Sequence, residues 1–119
     1  MSTLNTPGRT ISPVSIRVHI FFDGDEIAST SKALKLEQPG RETRYYFPIE
    51  DVHPSILEAS DTKRQEDGLG EAHYYNIKTL TADGDDLAWY YPYAEGDYAE
   101  LRDLITFGGD RISIQVTGG

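Results

Sequence analysis

The stretch SIRVHIFF, residues 15–22, alternates apolar and other side chains. It places four apolar side chains on one side, Ile16, Val18, Ile20 and Phe22, and three others between them, Arg17, His19 and Phe21. A repeat of two residues is that of a strand with one buried face. The Asp-Gly pair at 23–24 is typical of a tight hairpin, so the chain is expected to begin as antiparallel β.

Further extended segments follow, separated by turn residues: EIAST, KALKLE, TRYYF, AHYYNIKTL, DLAWYYPY and RISIQV. Turns are predicted at QPGRE and at TADGDD, where an Asp-Gly pair again indicates a hairpin. The polar, Gly-containing stretch SDTKRQEDGLGE reads as a loop. This pattern predicts a mainly β, antiparallel protein, built as a two-sheet sandwich or open barrel.

One short C-terminal helix is predicted at DYAELRDLITF, residues 97–107. Asp97 and Glu100 have the spacing of a capping box, with Asp in place of Ser or Thr. Four apolar side chains recur at helical spacing, Tyr98, Leu101, Leu104 and Ile105. The glycines at 108 and 109 would end this helix.

The length of 119 residues suits one domain with a core of its own. Residues 1–14 are polar and contain two prolines, so they are expected to form a flexible N-terminal arm. Residues 15–119 are expected to form a single β-rich domain.

Charge and composition exclude several classes of partner. The formal net charge of −9 argues against binding nucleic acid or an anionic membrane, since both require a basic face. The sequence has no apolar run of membrane-spanning length and no signal-peptide core. With no cysteine, disulfides and thiolate chemistry are excluded. A cytoplasmic location is the expectation.

The common cofactor and metal motifs are missing from the sequence. There is no phosphate-binding Gly-rich loop, no dinucleotide fingerprint and no Gly-x-Ser-x-Gly elbow. His19, His53 and His73 have no metal-ligand spacing, and the Asp-rich turns lack the calcium-loop pattern. Neither a metal nor a cofactor is therefore expected.

The stretch RYYFPIEDV, residues 44–52, carries the first candidate site residues. On a strand, Tyr45 and Phe47 share one face, predicted to be core, while Arg44 and Tyr46 share the other. That second face either lines a pocket or is structural. Glu50 follows in a turn, where it acts either as a general acid or base or as a plain solvated or capping residue.

Two aromatic segments supply the remaining candidates. His73 and Tyr75 share one strand face, and Trp89 and Tyr91 share another, so the four are expected to form an aromatic box if the strands pair as neighbours. His73 is the candidate base because histidine titrates near neutral pH. The alternative is a half-exposed sheet face of cross-strand pairs. Glu66 can place a carboxylate over the pocket, or belong to a solvated loop.

The chain resembles the "domain of unknown function 427" family, sometimes labelled nucleotidyltransferase-like. The resemblance runs from about Ser15 to Val116 and is carried by VHIFFDGDEIAST, YYFP followed by Glu-Asp-Val, LEASDT, GEAHYYNI and AWYYP. It implies a β-tent-like fold, similar to B-type methionine sulfoxide reductases, with a pocket between two sheets. Where the family commonly has Thr-His-Cys-Pro-Tyr-Lys-Gly, residues 64–70 read RQEDGLG, so His, Cys or Lys chemistry does not carry over.

Three functions remain open from the sequence. The first is a cofactor-free enzyme that uses Glu50, His73 and Glu66 as acid/base groups on a small organic molecule. Its chemistry would be cyclisation, pyrone-type lactonisation or dehydration of a polyketide-like intermediate in secondary metabolism. Arg44, Tyr46, Tyr75, Trp89 and Tyr91 would bind this substrate. The second is a non-catalytic small-molecule-binding module, and the third is an interaction protein that forms a homodimer through its sheet edges.

Overall fold

The computed structural model describes residues 10–66 and 69–117 of the chain. In these ranges the strands are β1 (Thr10–Pro13), β2 (Arg17–Phe22), β3 (Asp25–Thr30), β4 (Leu34–Glu37), β5 (Arg44–Pro48), β6 (Leu57–Glu66), β7 (Gly70–Lys78), β8 (Asp83–Tyr90), β9 (Leu104–Phe107) and β10 (Ile112–Thr117). Short 3-10 helices span Ile49–Asp51, Pro54–Ile56 and Gly96–Leu101. No helix in the described part of the chain is long and apolar enough to cross a membrane.

The described strands form two antiparallel sheets, as the alternation in the sequence predicts. The larger sheet has seven strands in the order β1-β4-β5-β9-β8-β7-β6, and the smaller has three in the order β10-β2-β3. Neither sheet closes into a barrel, because each ends in two edge strands. The predicted class, mainly antiparallel β in two sheets, is confirmed.

The main core lies between the two sheets. The predicted apolar face of β2 supplies Val18, Ile20 and Phe22, which are at most 1% exposed. Across from them, Phe47 of β5 and Phe107 of β9 meet edge to face with ring centroids 5.8 Å apart. Burying each such side chain stabilises the fold by about 1.5–3 kcal/mol relative to leaving it in water.

A second apolar cluster involves the larger sheet and the segments that connect its strands. Its buried members are Leu36, Tyr46, Leu69, Ala72, Tyr91, Ala94, Tyr98 and Leu101. The 3-10 helix Gly96–Leu101 contributes the last two of these side chains. This cluster borders a cavity on the larger sheet.

The predicted C-terminal helix is wrong. Residues 96–101 form only a 3-10 helix, and its N-cap is Glu95, without a side-chain capping bond. Asp103 then adopts a left-handed backbone (φ 70°), which breaks the helical path. Leu104–Phe107 instead form β9, which pairs with both β5 and β8. Tertiary pairing of an apolar, β-branched segment here outweighs a short helical pattern.

The prediction of a loop at residues 60–71 is also wrong for most of its length. Its first part lies in β6, which pairs with β7 from Leu57 to Glu66. β6 is an edge strand, so most of its side chains reach solvent and it lacks the alternation that marks a half-buried strand.

The second Asp-Gly hairpin is displaced along the chain from its predicted position. The turn between β7 and β8 is closed by the Thr79 N–H, which donates to the Ala82 carbonyl at 2.8 Å. Asp83 and Gly84 already belong to β8. The Asp-Gly pair at 23–24 does form the predicted turn between β2 and β3, with positive φ at both residues.

Part of the predicted N-terminal arm is ordered sheet. Thr10–Pro13 form β1, which pairs antiparallel with β4 from Thr10 opposite Glu37 to Pro13 opposite Leu34. Ile11 of this strand packs against the second apolar cluster. The rest of the predicted arm, residues 1–9, lies outside the described residues.

Asp86 fixes an irregularity where β6, β7 and β8 meet. It has a left-handed backbone (φ 57°), and the β7–β8 register shifts beside it, as at a β-bulge. Its carboxylate accepts hydrogen bonds from the hydroxyls of Ser60 (2.6 Å) and Thr62 (2.7 Å). Its N–H donates to the side-chain oxygen of Asn76 at 3.0 Å. The LEASDT motif thus supplies the hydroxyls that hold this bulge.

Replacing Asp86 with alanine is expected to lower the free energy of unfolding by about 1–3 kcal/mol, since it removes both hydroxyl bonds to a carboxylate. Asp86→Gly removes the same bonds but tolerates positive φ, so it should be about 1 kcal/mol more stable than Asp86→Ala. Urea unfolding measures both variants, with Asp85→Ala as the exposed neighbouring control. Equal stability of Asp86→Ala and the unchanged protein would contradict this role.

Candidate functional site

A cavity with a volume of about 300 Å³, here called the main cavity, lies on the larger sheet. Its lining combines four aromatic side chains, three arginines, two glutamates and three others: Tyr46, Tyr74, Trp89, Tyr91, Arg41, Arg44, Arg64, Glu42, Glu66, Leu36, Gln38 and Leu69. All of these belong to strands of the seven-stranded sheet or to segments between them. This cavity is not the predicted pocket between the two sheets, since the described residues that lie between the sheets pack in the main core.

Curvature of the larger sheet brings distant strands together around this cavity. β4 and β5 stand on one side of β9, and β6 is the edge strand on the other side. Arg41, between β4 and β5, nevertheless reaches Glu66 at the end of β6, with 3.6 Å between Nη1 and Oε1. This ion pair closes one side of the cavity. Both side chains are at least 40% exposed, so the pair itself contributes little to stability.

Arg44 lies against the face of Trp89, 5.1 Å from the ring centroid, within the range of a cation–π contact. Its Nη1 donates to the Phe107 carbonyl at 3.2 Å, and its Nη2 lies 3.6 Å from Glu42. These contacts hold the guanidinium at the cavity wall, of which Arg44 is a lining residue. Arg44 projects here because it shares a face of β5 with Tyr46.

Gly108 makes the close approach of Arg44 and Trp89 possible. A Cβ at this position would lie 2.6 Å from Nη1 of Arg44 and 2.7 Å from Cη2 of Trp89. Both distances are shorter than real Cβ contacts, so both side chains would have to move. The glycine after β9 is therefore a packing requirement of the cavity wall.

Tyr46 and Tyr91 form the floor of the cavity and are 1% and 4% exposed. Their ring centroids lie 6.3 Å apart, and the Trp89 indole N–H donates to the Tyr91 hydroxyl at 3.1 Å. Burial, followed by the neighbouring Tyr91, raises the pKa of Tyr46 far above its usual value. Burial also raises the pKa of Tyr91 to about 12. At neutral pH both phenols are protonated, so they can donate hydrogen bonds but cannot act as bases.

Tyr74 lies directly opposite Trp89 in the β7–β8 register, with ring centroids 5.3 Å apart. The Arg64 guanidinium lies over the Tyr74 ring at 5.7 Å. Burial raises the pKa of Tyr74, against the opposing effect of Arg64. The cavity wall thus repeats one arrangement, a guanidinium on an aromatic face, on two neighbouring strands.

The structure brings five of the eight predicted site residues to this cavity: Arg44, Tyr46, Glu66, Trp89 and Tyr91. The two faces predicted for β5 are confirmed. Phe47 is buried in the main core with Tyr45 packed beside it, while Tyr46 is buried on the cavity side with Arg44. Alternation along this strand is what made the prediction possible.

His73 and Tyr75 lie on the opposite face of the larger sheet and do not line the cavity. The predicted box set them beside Trp89 and Tyr91, but the register places His73 opposite Tyr90. His73 binds Glu71 at 2.8 Å and meets the Tyr90 ring edge to face, and Tyr75 stacks on Tyr90 at 5.6 Å. A difference of one residue in the assumed pairing exchanges the two faces.

Glu50 is likewise away from the main cavity. It lies exposed in the 3-10 helix Ile49–Asp51, at a second, open depression of about 290 Å³ beside Glu26, Ser29 and His53. Its neighbour Asp51 accepts a hydrogen bond from the Thr30 hydroxyl at 2.6 Å, a structural contact. Glu50, His73 and Glu66 are therefore not assembled in one site.

Several cavity residues were not predicted from the sequence: Leu36, Gln38, Arg41, Glu42, Arg64, Leu69 and Tyr74. Arg64 was assigned to a loop, where no face can be inferred. Tyr74 follows from alternation once the β7–β8 register is known, since it shares a face with Trp89. In the described part of the chain, no group of three or more His, Asp or Glu side chains is arranged to hold a metal ion.

Comparison with known protein families identifies the family of this chain. The model of a family described as a domain of unknown function (DUF427) matches residues 10–118. The matched range contains every lining residue of the cavity. Among curated proteins, none matches the chain.

Gly108→Ala is expected to displace Arg44 from Trp89 and to lower the free energy of unfolding by about 1–3 kcal/mol, as overpacking does. Trp89 is the one tryptophan of the sequence, so its fluorescence emission reports the change directly. In an Arg44→Ala background the same glycine substitution should cost less, because one of the two clashing groups is gone. An identical cost in both backgrounds would contradict the proposed contact.

The buried phenols predict loss of stability in alkali. A folded-state pKa raised above the ordinary value near 10 means that the neutral phenol favours the fold. That contribution is intact below about pH 10 and is lost as the pH rises through the folded-state values. Phenolate absorbance and circular dichroism, recorded together, should show the last tyrosines ionising only as the chain unfolds.

Two matched substitutions test whether ionisation of Tyr46 contributes to this alkaline unfolding. Tyr46→Phe removes one buried ionisation and should shift the unfolding midpoint to higher pH. Tyr93→Phe changes an exposed phenol and should leave the midpoint in place. Equal midpoints for all three proteins would refute the assignment.

Proposed function

The chain belongs to the family described as a domain of unknown function (DUF427), and we propose that its main cavity binds a small, flat, conjugated organic molecule bearing a carboxylate or enolisable carbonyl. The observation that carries this proposal is the Arg44 guanidinium, which lies over the Trp89 ring at the cavity wall. A fixed guanidinium edge binds an oxyanion, and the aromatic faces beside it bind a planar ring system.

Size and charge support this class of ligand. A volume of about 300 Å³ is at the lower end of ordinary ligand sites and suits a molecule of one or two rings. The lining has three arginines against two glutamates, a formal charge of +1 in a chain of net charge −9. The cavity is thus a local positive region on an acidic protein, which favours an acidic ligand.

For the chemistry, we propose cofactor-free acid/base catalysis with Glu66 as the base. Glu66 is the one predicted catalytic residue that lines the cavity, and the protonated tyrosines there cannot take a proton. The Glu66 carboxylate would remove a proton from a carbon or enol flanked by carbonyls. Arg44 would stabilise the charge that develops on the carbonyl oxygen.

The reaction class that fits is ring closure of a linear β,δ-dioxo ester, a polyketide-like substrate of secondary metabolism. The enolate oxygen attacks the ester carbon, the C–O bond of the pyrone ring forms, and the ester C–O bond breaks. The alkoxide leaves as an alcohol with the proton that Glu66 removed. Electrons and protons balance without an added reagent.

A second candidate function is binding without catalysis. It is favoured by the ion pair that holds Glu66 against Arg41 at 3.6 Å, since a paired carboxylate has less freedom to exchange protons with a substrate. The separation of His73 and Glu50 from the cavity points the same way. In this reading the cavity presents its ligand unchanged to another protein or stores it.

Binding is tested by quenching of Trp89 fluorescence with benzoate and, as the neutral counterpart, benzyl alcohol. We expect benzoate to bind more tightly, and Arg44→Gln to weaken it about 10- to 100-fold, the effect of losing a charged hydrogen bond. Arg17→Gln, which removes an exposed arginine from the smaller sheet, is the matched control. Equal binding of the acid and the alcohol would overturn the proposed ligand class.

Catalysis is tested by incubating the protein with a linear β,δ-dioxo ester and following pyrone absorbance. Glu66→Gln should lower the rate at least about 100-fold, the usual contribution of a general base. Glu50→Gln, an exposed glutamate away from the cavity, should leave it unchanged. Full activity of Glu66→Gln would refute the role of Glu66, and tight binding without turnover would favour the binding module.

A further inference from the structure

The edge strand β10, residues ISIQVT, is unlike the other sheet edges. It contains no charged residue and no proline, and it borders the three-stranded sheet with only β2 as neighbour. Exposed edges of natural sheets usually carry charges, prolines or a covering segment that prevents pairing with another chain. An edge without these features is open to such pairing.

The remaining edges of the described sheets each carry one of these features. β1 ends in Pro13, and β6 is rich in charged residues. β3 is covered, because Val52 bridges to Ala28 and the His53 N–H donates to the Ile27 carbonyl at 3.1 Å. Within residues 10–66 and 69–117, β10 is thus the edge that lacks all three kinds of protection.

The apolar side chains of β10 extend past the core. Ile114 and Val116 lie opposite Ile20 and Val18 of β2, and so on the core-facing side of the smaller sheet. Their β2 partners are at most 1% exposed, whereas Ile114 is 39% and Val116 38% exposed. The core-facing side of the sheet therefore continues as an uncovered apolar strip along its edge.

The backbone of β10 presents free hydrogen-bonding groups beside this strip. The Asp23 N–H donates to the Arg111 carbonyl at 3.1 Å. The backbone groups of Arg111, just before β10, therefore point toward β2. Backbone groups alternate in direction along an antiparallel strand. The N–H and C=O groups of Ile114 and Val116 therefore point outward, to the open edge.

We propose that β10 pairs antiparallel with β10 of a second copy of this chain, across a two-fold axis. Centred on Gln115, this pairing sets Ile114 opposite Val116 of the partner subunit, with both residues hydrogen-bonded through their outward groups. The two apolar strips then form one surface on the same side of a continuous six-stranded sheet. The arrangement is isologous, because the same strand supplies both halves.

A second copy is the occupant that the strand itself fits. The apolar residues at 114 and 116 become cross-strand partners, and packing between directly opposite side chains stabilises a pair of strands. Two copies of net charge −9 repel each other at long range, and the uncharged β10 lets them meet where no like charges face each other. Added salt screens that repulsion, so the dimer should tighten as ionic strength rises.

Sedimentation of the full chain over a concentration series tests the proposal, which is independent of the proposed function. We expect a reversible dimer of twice the 13.3 kDa chain mass. Ile114→Lys places a charge at each half of the interface and should raise the dimer dissociation constant at least about 10-fold. Leu80→Lys makes the same kind of change at an exposed apolar residue in the β7–β8 turn and should have no effect.

Amide hydrogen exchange provides the second measurement. The Ile114 and Val116 amides should be protected in the dimer and exchange rapidly in Ile114→Lys. A chain that stays monomeric at high salt and high concentration would overturn the proposal. A dimer that Ile114→Lys leaves intact, with rapid exchange at both amides, would place the interface elsewhere and overturn it as well.

Discussion

The pairing of β9 between β5 and β8 is the constraint on which the rest of the molecule depends. It joins two otherwise separate groups of strands into one sheet, with Ile105 opposite both Phe47 and Tyr90. The buried Thr106 hydroxyl adds a bond to the Tyr45 carbonyl at 2.8 Å. Through this join, β5 brings Arg44 within reach of Trp89 on β8. The same four-residue strand thus contributes Ile105 and Phe107 to the core and holds together the two strands that carry the cavity wall.

The larger elements could be predicted from the sequence where local pattern and tertiary packing agree. β2 alternates cleanly because it has one face in the main core. β5 is buried on both faces, with Phe47 in the main core and Tyr46 in the second apolar cluster, and the faces of both strands were assigned correctly. β9 was predicted as helix because its apolar residues continue a helical repeat from Tyr98. Its strand conformation depends on backbone pairing with β5 and β8, which are distant in the sequence. β6 was missed because an edge strand with solvated faces carries no alternation.

The same limit applies to the candidate site. Aromatic and arginine residues on β5 and β8 were identified, since their strands were. The choice between Tyr74 and the pair His73 and Tyr75 depends on which of them lies opposite Trp89 in the β7–β8 register, and this register is further interrupted by a bulge at Asp86. A bulge formed by hydroxyls of β6 and a carboxylate of β8 is a non-local feature, invisible to any window of sequence.

The two walls of the cavity differ in how much their strands contribute to the buried core. Arg44, Tyr46 and Trp89 come from strands inside the sheet, whose other faces form the core. Arg64 and Glu66 come from the end of the outermost hairpin and are partly exposed, so substitutions there disturb few buried contacts. The sequence of this hairpin can therefore change while the sheet persists, so substitutions within residues 64–66 would alter the lining of the cavity without refolding its other wall.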